Sequence, residues 1–336
     1  MRSIGGIETR RNVLVDGNNL AHRAYYSFVE DRMKKGKPVL CSAGGFPTGM
    51  SYGFLTTLAS WIYSVPRASS VSVFFDGVPA RRLALDPGYK SGRSPSGPRM
   101  APVPGGPSFT LRDGQIVSSE LELLSAILLR LGCDVYHSPT EEADDLIASF
   151  VQARPGETHF IMSADKDMFQ LVDDRTVCCR PDHEGFFDSE RVTQYMLKLY
   201  GAPVSPSQIR MFKALTGDSS DFIPGIPRLR KKLAHSLCSH RSIQDLYASG
   251  LPGLSKAERA QAIALRPRVE LNYELVRLDG GLDLSQLLRP GALSIPAAME
   301  LCQEDLNMGP IDYASYRLGR QSPAHALPAH DWLLDL

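Results

Sequence analysis

Carboxylates recur along this 336-residue chain wherever an apolar run breaks. Asp16 follows Asn12-Val13-Leu14-Val15, and Asp76 follows Val71-Ser72-Val73-Phe74-Phe75. Glu141, Glu142, Asp144 and Asp145 crowd the start of a segment in which Leu146, Ile147 and Phe150 follow at helical spacing. Asp165 and Asp167 come after His159–Ser163, and Asp218 and Asp221 lie in Leu215-Thr216-Gly217-Asp218-Ser219-Ser220-Asp221. Each group alone has an ordinary explanation, since a helix N-terminus favours carboxylates and a well-capped surface helix needs no further purpose. Five stations at loop positions are less ordinary. Asp165 and Asp167 point the same way if the chain there is extended. Asp218 and Asp221 share a face if Gly217 opens a turn, as do Glu142 and Asp145 on their helix. Like charges near 4 Å repel by roughly 4 kcal/mol per pair at an effective dielectric of 20. Either the groups are scattered, then, or they hold divalent cations. Oxygen ligands without His or Cys select Mg²⁺ or Mn²⁺ over zinc. Two such ions about 4 Å apart activate a water and stabilise a leaving oxygen in phosphodiester cleavage.

The elements that must position these groups can be read in outline. Residues 12–16 and 71–76 are short buried strands ending in Asp-Gly, with further strands at 133–136 and 158–163. Helices are expected over Asn18–Phe28, Pro47–Ser64 and Ser118–Leu131, the last with Leu121, Leu124, Ile127, Leu128 and Leu131 as core and Glu120 and Glu122 as solvated or capping charges. The alternation predicts an α/β fold with a mostly parallel central sheet flanked by helices, in which sites gather outside the carboxyl ends of the strands. Residues 12–187 form this core. Residues 77–117 are a long insertion, basic at first through Arg81, Arg82, Lys90 and Arg93, then rich in Pro, Gly and Ser. Residues 188–280 read as a helical subdomain, with helices at Glu190–Tyr200, Pro206–Leu215, 228–238 and 256–264. The rest, 281–336, is a C-terminal extension.

Composition sets bounds. Lys+Arg and Asp+Glu are both 37, so net charge alone argues weakly against nucleic acid as a partner. If the carboxylates converge, however, the remaining surface is more basic than the total suggests, with a second cluster at Arg228, Arg230, Lys231 and Lys232. There is no membrane-spanning run and no signal peptide at Met1–Arg11, which predicts a cytoplasmic protein. The six cysteines show no zinc spacing and read as buried free thiols in a reducing compartment. A P-loop and a GxSxG are absent. Asp165-Lys166-Asp167 is too short to argue a sugar-nucleotide DxD site, and it lacks the spacing of an EF-hand.

Taken together the blocks resemble the structure-specific 5′ nucleases (flap endonucleases), including bacteriophage 5′–3′ exonucleases and the 5′-nuclease domain of bacterial DNA polymerase I. They are Val15-Asp16-Gly17-Asn18-Asn19 with Arg23, Phe75-Asp76-Gly77, Gly88-Tyr89-Lys90-Ser91-Gly92-Arg93, Glu142-Ala143-Asp144-Asp145, Ser163-Ala164-Asp165-Lys166-Asp167 and Thr216-Gly217-Asp218-Ser219-Ser220-Asp221. They keep the family's order over about residues 12–280. The resemblance implies that Asp16, Asp76, Glu142 and Asp144 hold a first Mg²⁺ or Mn²⁺ ion, supported by Asp145. It implies that Asp165, Asp167, Asp218 and Asp221 serve a second ion. Lys90 and Arg93 would stabilise charge on the scissile phosphate, Tyr89 would stack on or orient the terminal bases, and Arg23 would contact phosphate. Residues 77–117 would be the family's arch, beneath which a 5′ end passes.

The resemblance has departures. The family usually has Asn after the last Asp of the sixth block, and here it is Phe222. Its helix-hairpin-helix normally cradles a duplex phosphate and a potassium ion on a Gly-Ile-Gly turn. Here the turn reads Ile226-Pro227-Arg228-Leu229-Arg230-Lys231-Lys232, which argues against K⁺ and leaves phosphate contact to Arg228, Arg230, Lys231 and Lys232, or simply a basic amphipathic helix. The expected protein is a monomeric, divalent-metal-dependent 5′–3′ exonuclease or flap endonuclease of bacterial or phage origin. It would cut DNA at 5′ flaps, nicks or free 5′ ends, in replication or repair, and is too short to carry a polymerase. The alternatives are a PIN-like or RNase H-like nuclease acting on RNA, and a non-catalytic DNA-structure-binding protein. Trp332-Leu333-Leu334-Asp335-Leu336 reads as a packed or frayed terminus, with docking to a replication protein as the alternative.

Overall fold

The computed structural model describes residues 9–42, 48–65, 67–91, 99–101, 109–111, 113–180, 185–227, 229, 240 and 242–304. Strand β1 (Arg11–Asp16) lies at the centre of a seven-stranded sheet. It pairs in parallel with β2 (Ser70–Phe75) on one side, Val13 opposite Val71, and with β6 (Thr158–Met162) on the other, Val13 opposite Phe160. Beyond β2 comes the parallel strand β5 (Asp134–His137), and beyond β6 the parallel strand β7 (Thr176–Cys179). Antiparallel strands close both edges: β8 (Phe186–Phe187) on β7 and β11 (Leu288–Arg289) on β5. The centres of the parallel strands are buried because helices cover both faces.

Alternation along β1 divides the core. Val13 and Val15 face α1 (Gly17–Tyr25), α3 (Gly49–Ser64) and α5 (Asp113–Arg130), meeting Leu20, Phe54, Leu58, Leu124 and Leu128. Leu14 faces the other way, onto α6 (Ala143–Gln152), α7 (Ser189–Tyr200) and α8 (Ile209–Thr216), through Leu146, Ile147, Val192 and Phe212. The helical part continues through α9 (Ile243–Ala248), α10 (Lys256–Ala264) and α11 (Arg266–Leu275), and α12 (Ile295–Glu304) returns to the core.

The structure differs from the sequence reading in three places. Residues 281–304 are not an appendage: β11 supplies an edge strand, and Ala298 and Cys302 of α12 are fully buried in the core beside α5. Two-residue β11 and the Pro-containing α12 carry too little periodicity to announce this. The stretch 77–117 is not one loop either, since it contains α4 (Ala80–Leu85), the antiparallel pair β3 (Arg99–Ala101) and β4 (Phe109–Leu111), and the start of α5. Glu120, expected to be solvated, is 1% exposed and accepts from both N–H and Oγ of Ser51 on α3, at 2.8 and 2.6 Å. Burial pushes its carboxyl up to about 7 despite those two donors. The expected helix at 228–238, with Arg228, Arg230, Lys231 and Lys232, lies outside the described residues, as do Arg93, Cys238 and the tail 305–336.

Candidate active site

The carboxyl ends of β1, β2, β5 and β6 open onto one edge of the sheet, and the chain delivers an acid at each. Asp16 ends β1 and caps α1, its Oδ1 accepting the Asn19 N–H at 3.0 Å while Ser163 Oγ donates to Oδ2 at 2.7 Å. Asp76 follows β2, and its Oδ1 accepts the Ala143 N–H at 2.8 Å, in the first turn of α6. Glu142, after β5, is the residue that caps α6, so Asp144 and Asp145 fall in the first turn of that helix. Asp165, after β6, caps a 3₁₀ turn (Lys166–Leu171), its Oδ1 accepting the Asp167 N–H at 2.9 Å.

Neutral side chains stitch these ends together. Asn18 Oδ1 accepts the Asp76 N–H at 2.9 Å, and Asn19 Oδ1 accepts the Ala164 N–H at 3.1 Å. Ser163 Oγ also accepts the Asp165 N–H at 3.0 Å. The two asparagines and one serine thus lock the ends of three strands at fixed spacing.

A second group forms beside the first. The hairpin of β9 (Gly217–Asp218) and β10 (Ile223–Pro224) brings Asp218 and Asp221 to Asp167, one carboxylate oxygen of each lying within 4.8 Å of the others. Gly217 is required there: its φ is +74°, and a Cβ would lie 2.3 Å from the Gly225 nitrogen. Asp165 and Asp167 do not act as a period-two pair, because the 3₁₀ turn replaces extended chain. Asp167 joins Asp218 and Asp221, whereas the charge of Asp165 acts on Asp16 and Asp144.

Three cations thread the acids, and the sequence singled out only one for this position. Arg82 of α4 is 4% exposed. It bonds Glu142 and grips both oxygens of Asp145, with Nη2 to Oδ1 at 2.9 Å; its Nε and Nη2 also donate to the carbonyls of Leu275 and Arg277, at 2.9 and 3.0 Å. Asp145 Oδ1 takes the Asp279 N–H as well, at 2.8 Å. Lys90 Nζ bonds Glu142 and lies 3.9 Å from Asp221. Lys213 of α8 pairs with Asp167 and with Asp218, the latter at 2.6 Å. Nothing local marked Arg82 or Lys213: the first is one of several basic residues opening the insertion, and the second lies on the expected helix Pro206–Leu215. The Tyr89 ring is buried, and its hydroxyl lies 3.4 Å from Glu142 and 3.3 Å from Asp221, so it is not turned outward to a base here. Arg23 is exposed on α1.

The electrostatics are those of a site short of positive charge. Burial, then the Asp76 charge, raises Asp16 to about 7. Burial and the charges of Asp16 and Asp165 raise Asp144 well above the carboxylate range. Burial alone would lower Lys90, but Glu142, Asp221 and Asp144 outweigh it and keep the ammonium charged. Burial would raise Asp218, but Lys213 and the Ser220 donors hold it well below the usual range. The donors are all hard oxygens, and the raised acids would ionise readily beside a divalent cation, so the residues present fit Mg²⁺ or Mn²⁺.

A pH dependence follows. An acid whose folded value exceeds its unfolded one favours folding fully below about pH 4, and that contribution is lost as the pH rises through about 7. In EDTA, Tm should therefore fall between pH 5 and pH 8. Mg²⁺ competes with protons for Asp16 and Asp144, so the Tm gained on adding it should grow over the same range. The Glu120 contribution, of the same sign, should ignore the metal. Scanning calorimetry with and without Mg²⁺ tests this, and a metal increment independent of pH would contradict it.

The family model of the 5′–3′ exonuclease N-terminal resolvase-like domain matches residues 11–197, over half of the chain. This chain belongs to that family. Among curated relatives, a 5′–3′ exonuclease of Aquifex aeolicus is 29% identical over 274 residues, covering 81% of this chain and 82% of the relative. The thermostable DNA polymerase I of Thermus aquaticus is 29% identical over 277 residues, and the match spans 29% of that polymerase's length. Among solved structures, the bacteriophage T5 5′-exonuclease with bound zinc ions shares the fold at a TM-score of 0.56 and 19% identity, covering 80% of this chain and 90% of that one. The T5 flap endonuclease in a pseudo-enzyme–product complex with DNA and metal ions gives 0.57 and 18%, covering 88% and 95%. The expected fold and 5′-nuclease class therefore stand, and the chain is a nuclease of the 5′–3′ exonuclease family. Among the described residues no helix is long and apolar enough to cross a membrane.

Proposed function

We propose that this member of the 5′–3′ exonuclease family is a divalent-metal-dependent, structure-specific nuclease that cuts DNA near 5′ ends or single-strand/duplex junctions and leaves a 5′-phosphate. The observation that carries the reading is the convergence of acids from four strand ends and one hairpin on a single sheet edge, with buried cations between them. Asp16, Asp76, Glu142 and Asp144 would hold one Mg²⁺ or Mn²⁺ ion, and Asp165, Asp167, Asp218 and Asp221 a second. Bound there, the ions would supply an activated water and charge stabilisation at the leaving oxygen.

The chain's own residues do the rest. Asp145, gripped by Arg82, orients α6 and therefore Glu142 and Asp144. Lys90, moving from Glu142 to a phosphate oxygen, would neutralise charge developing in the transition state, aided by Arg93. Lys213 offsets part of the charge of Asp167 and Asp218, so the second group stays assembled before any ion arrives. Arg23, exposed on α1, and the basic residues 228–232 would contact phosphates. Action as a monomer in the cytoplasm, in replication or repair, follows from this reading. The K⁺ site expected of a Gly-Ile-Gly turn has no counterpart in the sequence here.

The test is cleavage of a 5′-flap duplex labelled separately on the flap end and the downstream strand, in Mg²⁺, in EDTA and with Asp165→Asn. Metal-dependent products at the junction, slowed at least about 10²-fold in the variant, are expected. Tight binding without cleavage in either Mg²⁺ or Mn²⁺ would favour the non-catalytic DNA-binding alternative.

A further inference from the structure

Phe222 has no structural reason to be Phe. Its ring is 52% exposed, so it buries little, and its φ is +59°, a left-handed backbone that bulky side chains disfavour and Asn adopts readily. Strain of this kind gathers where a side chain is held for a ligand. The residue follows Asp221 directly, in the turn joining β9 to β10. That turn is clamped from the other side: Lys90, itself at φ +55°, donates its N–H to the Asp221 carbonyl at 3.2 Å. Tyr89, the ring nominated by the sequence for base stacking, is 6% exposed and faces the carboxylates with its hydroxyl. The other exposed aromatics among the described residues, Tyr26 and Tyr63, sit on helical segments with no site carboxylate beside them in sequence.

We propose that the Phe222 ring is a stacking platform for a nucleobase of the bound DNA strand, next to the phosphate that the adjoining carboxylates cleave. The inference rests on the nuclease reading above. It requires an exposed aromatic beside the reacting phosphate and a cation to take that phosphate; Phe222 is next to Asp221 in the chain and Lys90 Nζ lies 3.9 Å from Asp221. Every base offers a π-face, so the platform would tolerate any sequence, as a nuclease that reads structure requires.

The test pairs stability with binding. Phe222→Asn relieves the backbone and should raise Tm by roughly 2 °C. In an Asp165→Asn background, which keeps the strand whole, the same change should weaken binding to a 5′-flap duplex in Mg²⁺ by about 5- to 150-fold, while Phe222→Trp retains it. Abasic nucleotides placed one at a time around the junction should reveal one position where Phe222 protein loses that same factor and the Asn variant loses little more. Undiminished binding by the Asn variant, a lowered Tm, or losses that add at every abasic position would each overturn the proposal. A protein with Phe222 in place that neither binds nor cuts the flap would overturn the nuclease reading itself.

Discussion

Arg82→Met should destabilise the protein by ~3–5 kcal/mol, the range for removing one partner of a buried ion pair. The new side chain matches much of the volume, so packing contributes little to the loss. What remains is two carboxylates, Glu142 at 5% and Asp145 at 1% exposure, with only Lys90 on the first and Arg81 at 3.9 Å from the second. The carbonyl of Leu275 loses its Arg82 donor, and that of Arg277 keeps only Arg81. Burial alone would lower the Arg82 pKa, yet Asp145 and then Glu142 reverse that direction, which marks how tightly the three are bound. Arg82→Lys should recover only part, because an ammonium has three donors and cannot span the acceptors a guanidinium reaches. Urea unfolding midpoints in EDTA measure both variants, and a Met variant within 1 kcal/mol of the parent, by the same scale, would contradict the account. Activity should fall with stability, since α6 carries Glu142 and Asp144 into the site.

Asp16→Asn should move stability and activity in opposite directions. Asn is a good helix cap, so the contact with the Asn19 N–H survives, and Ser163 can meet either end of the amide. The lost charge is one the metal-free fold disfavours, because Asp16 is raised from 3.8 to about 7. At 1.36 kcal/mol per unit, the metal-free protein should gain on the order of 2–4 kcal/mol at pH 8, and under about 1 kcal/mol at pH 4, where the folded acid is protonated and the unfolded one about half so. Cleavage in Mg²⁺ should fall at least about 10²-fold, since an amide is a poor ligand for a hard cation beside the reacting phosphate. Thermal unfolding in EDTA across that pH range, together with single-turnover cleavage, checks both halves. A variant less stable at pH 8 would show that Asp16 is held for the fold rather than for cations.

What the sequence made legible was what local pattern decides. Apolar runs ending in Asp-Gly located β1 and β2, and the strand–helix alternation implied a parallel sheet with acids along its carboxyl edge. The residues that hold the acids apart were not legible, because their partners are remote in sequence. Arg82 is buried only because the end of α11 and the loop after it present carbonyls to it. Glu120 reads as a solvated or capping charge, and its partners, the N–H and hydroxyl of Ser51 on α3, are remote in sequence. Tyr89 and Lys90 were legible as site residues, but not their contacts with Asp221 in the β9–β10 turn. Whether Asp165 and Asp167 share a face depends on an extended chain, and nothing local announces the 3₁₀ turn that the first of them caps.

The place of β1 in the sheet has a consequence for how this molecule comes into being. The earliest strand among the described residues is the one in the middle: Asn12 sits opposite Ser70 on one side and opposite His159 on the other. A nascent chain that has not yet reached Met162 has nothing to pair with the second edge of β1, and one that has not reached Asp221 lacks the hairpin altogether. Such distant pairings close late, after the entropy of long loops has been overcome. Until then the acids are separate charges on an unfinished surface, and they come together only once the chain has passed Asp221, about two thirds of its length.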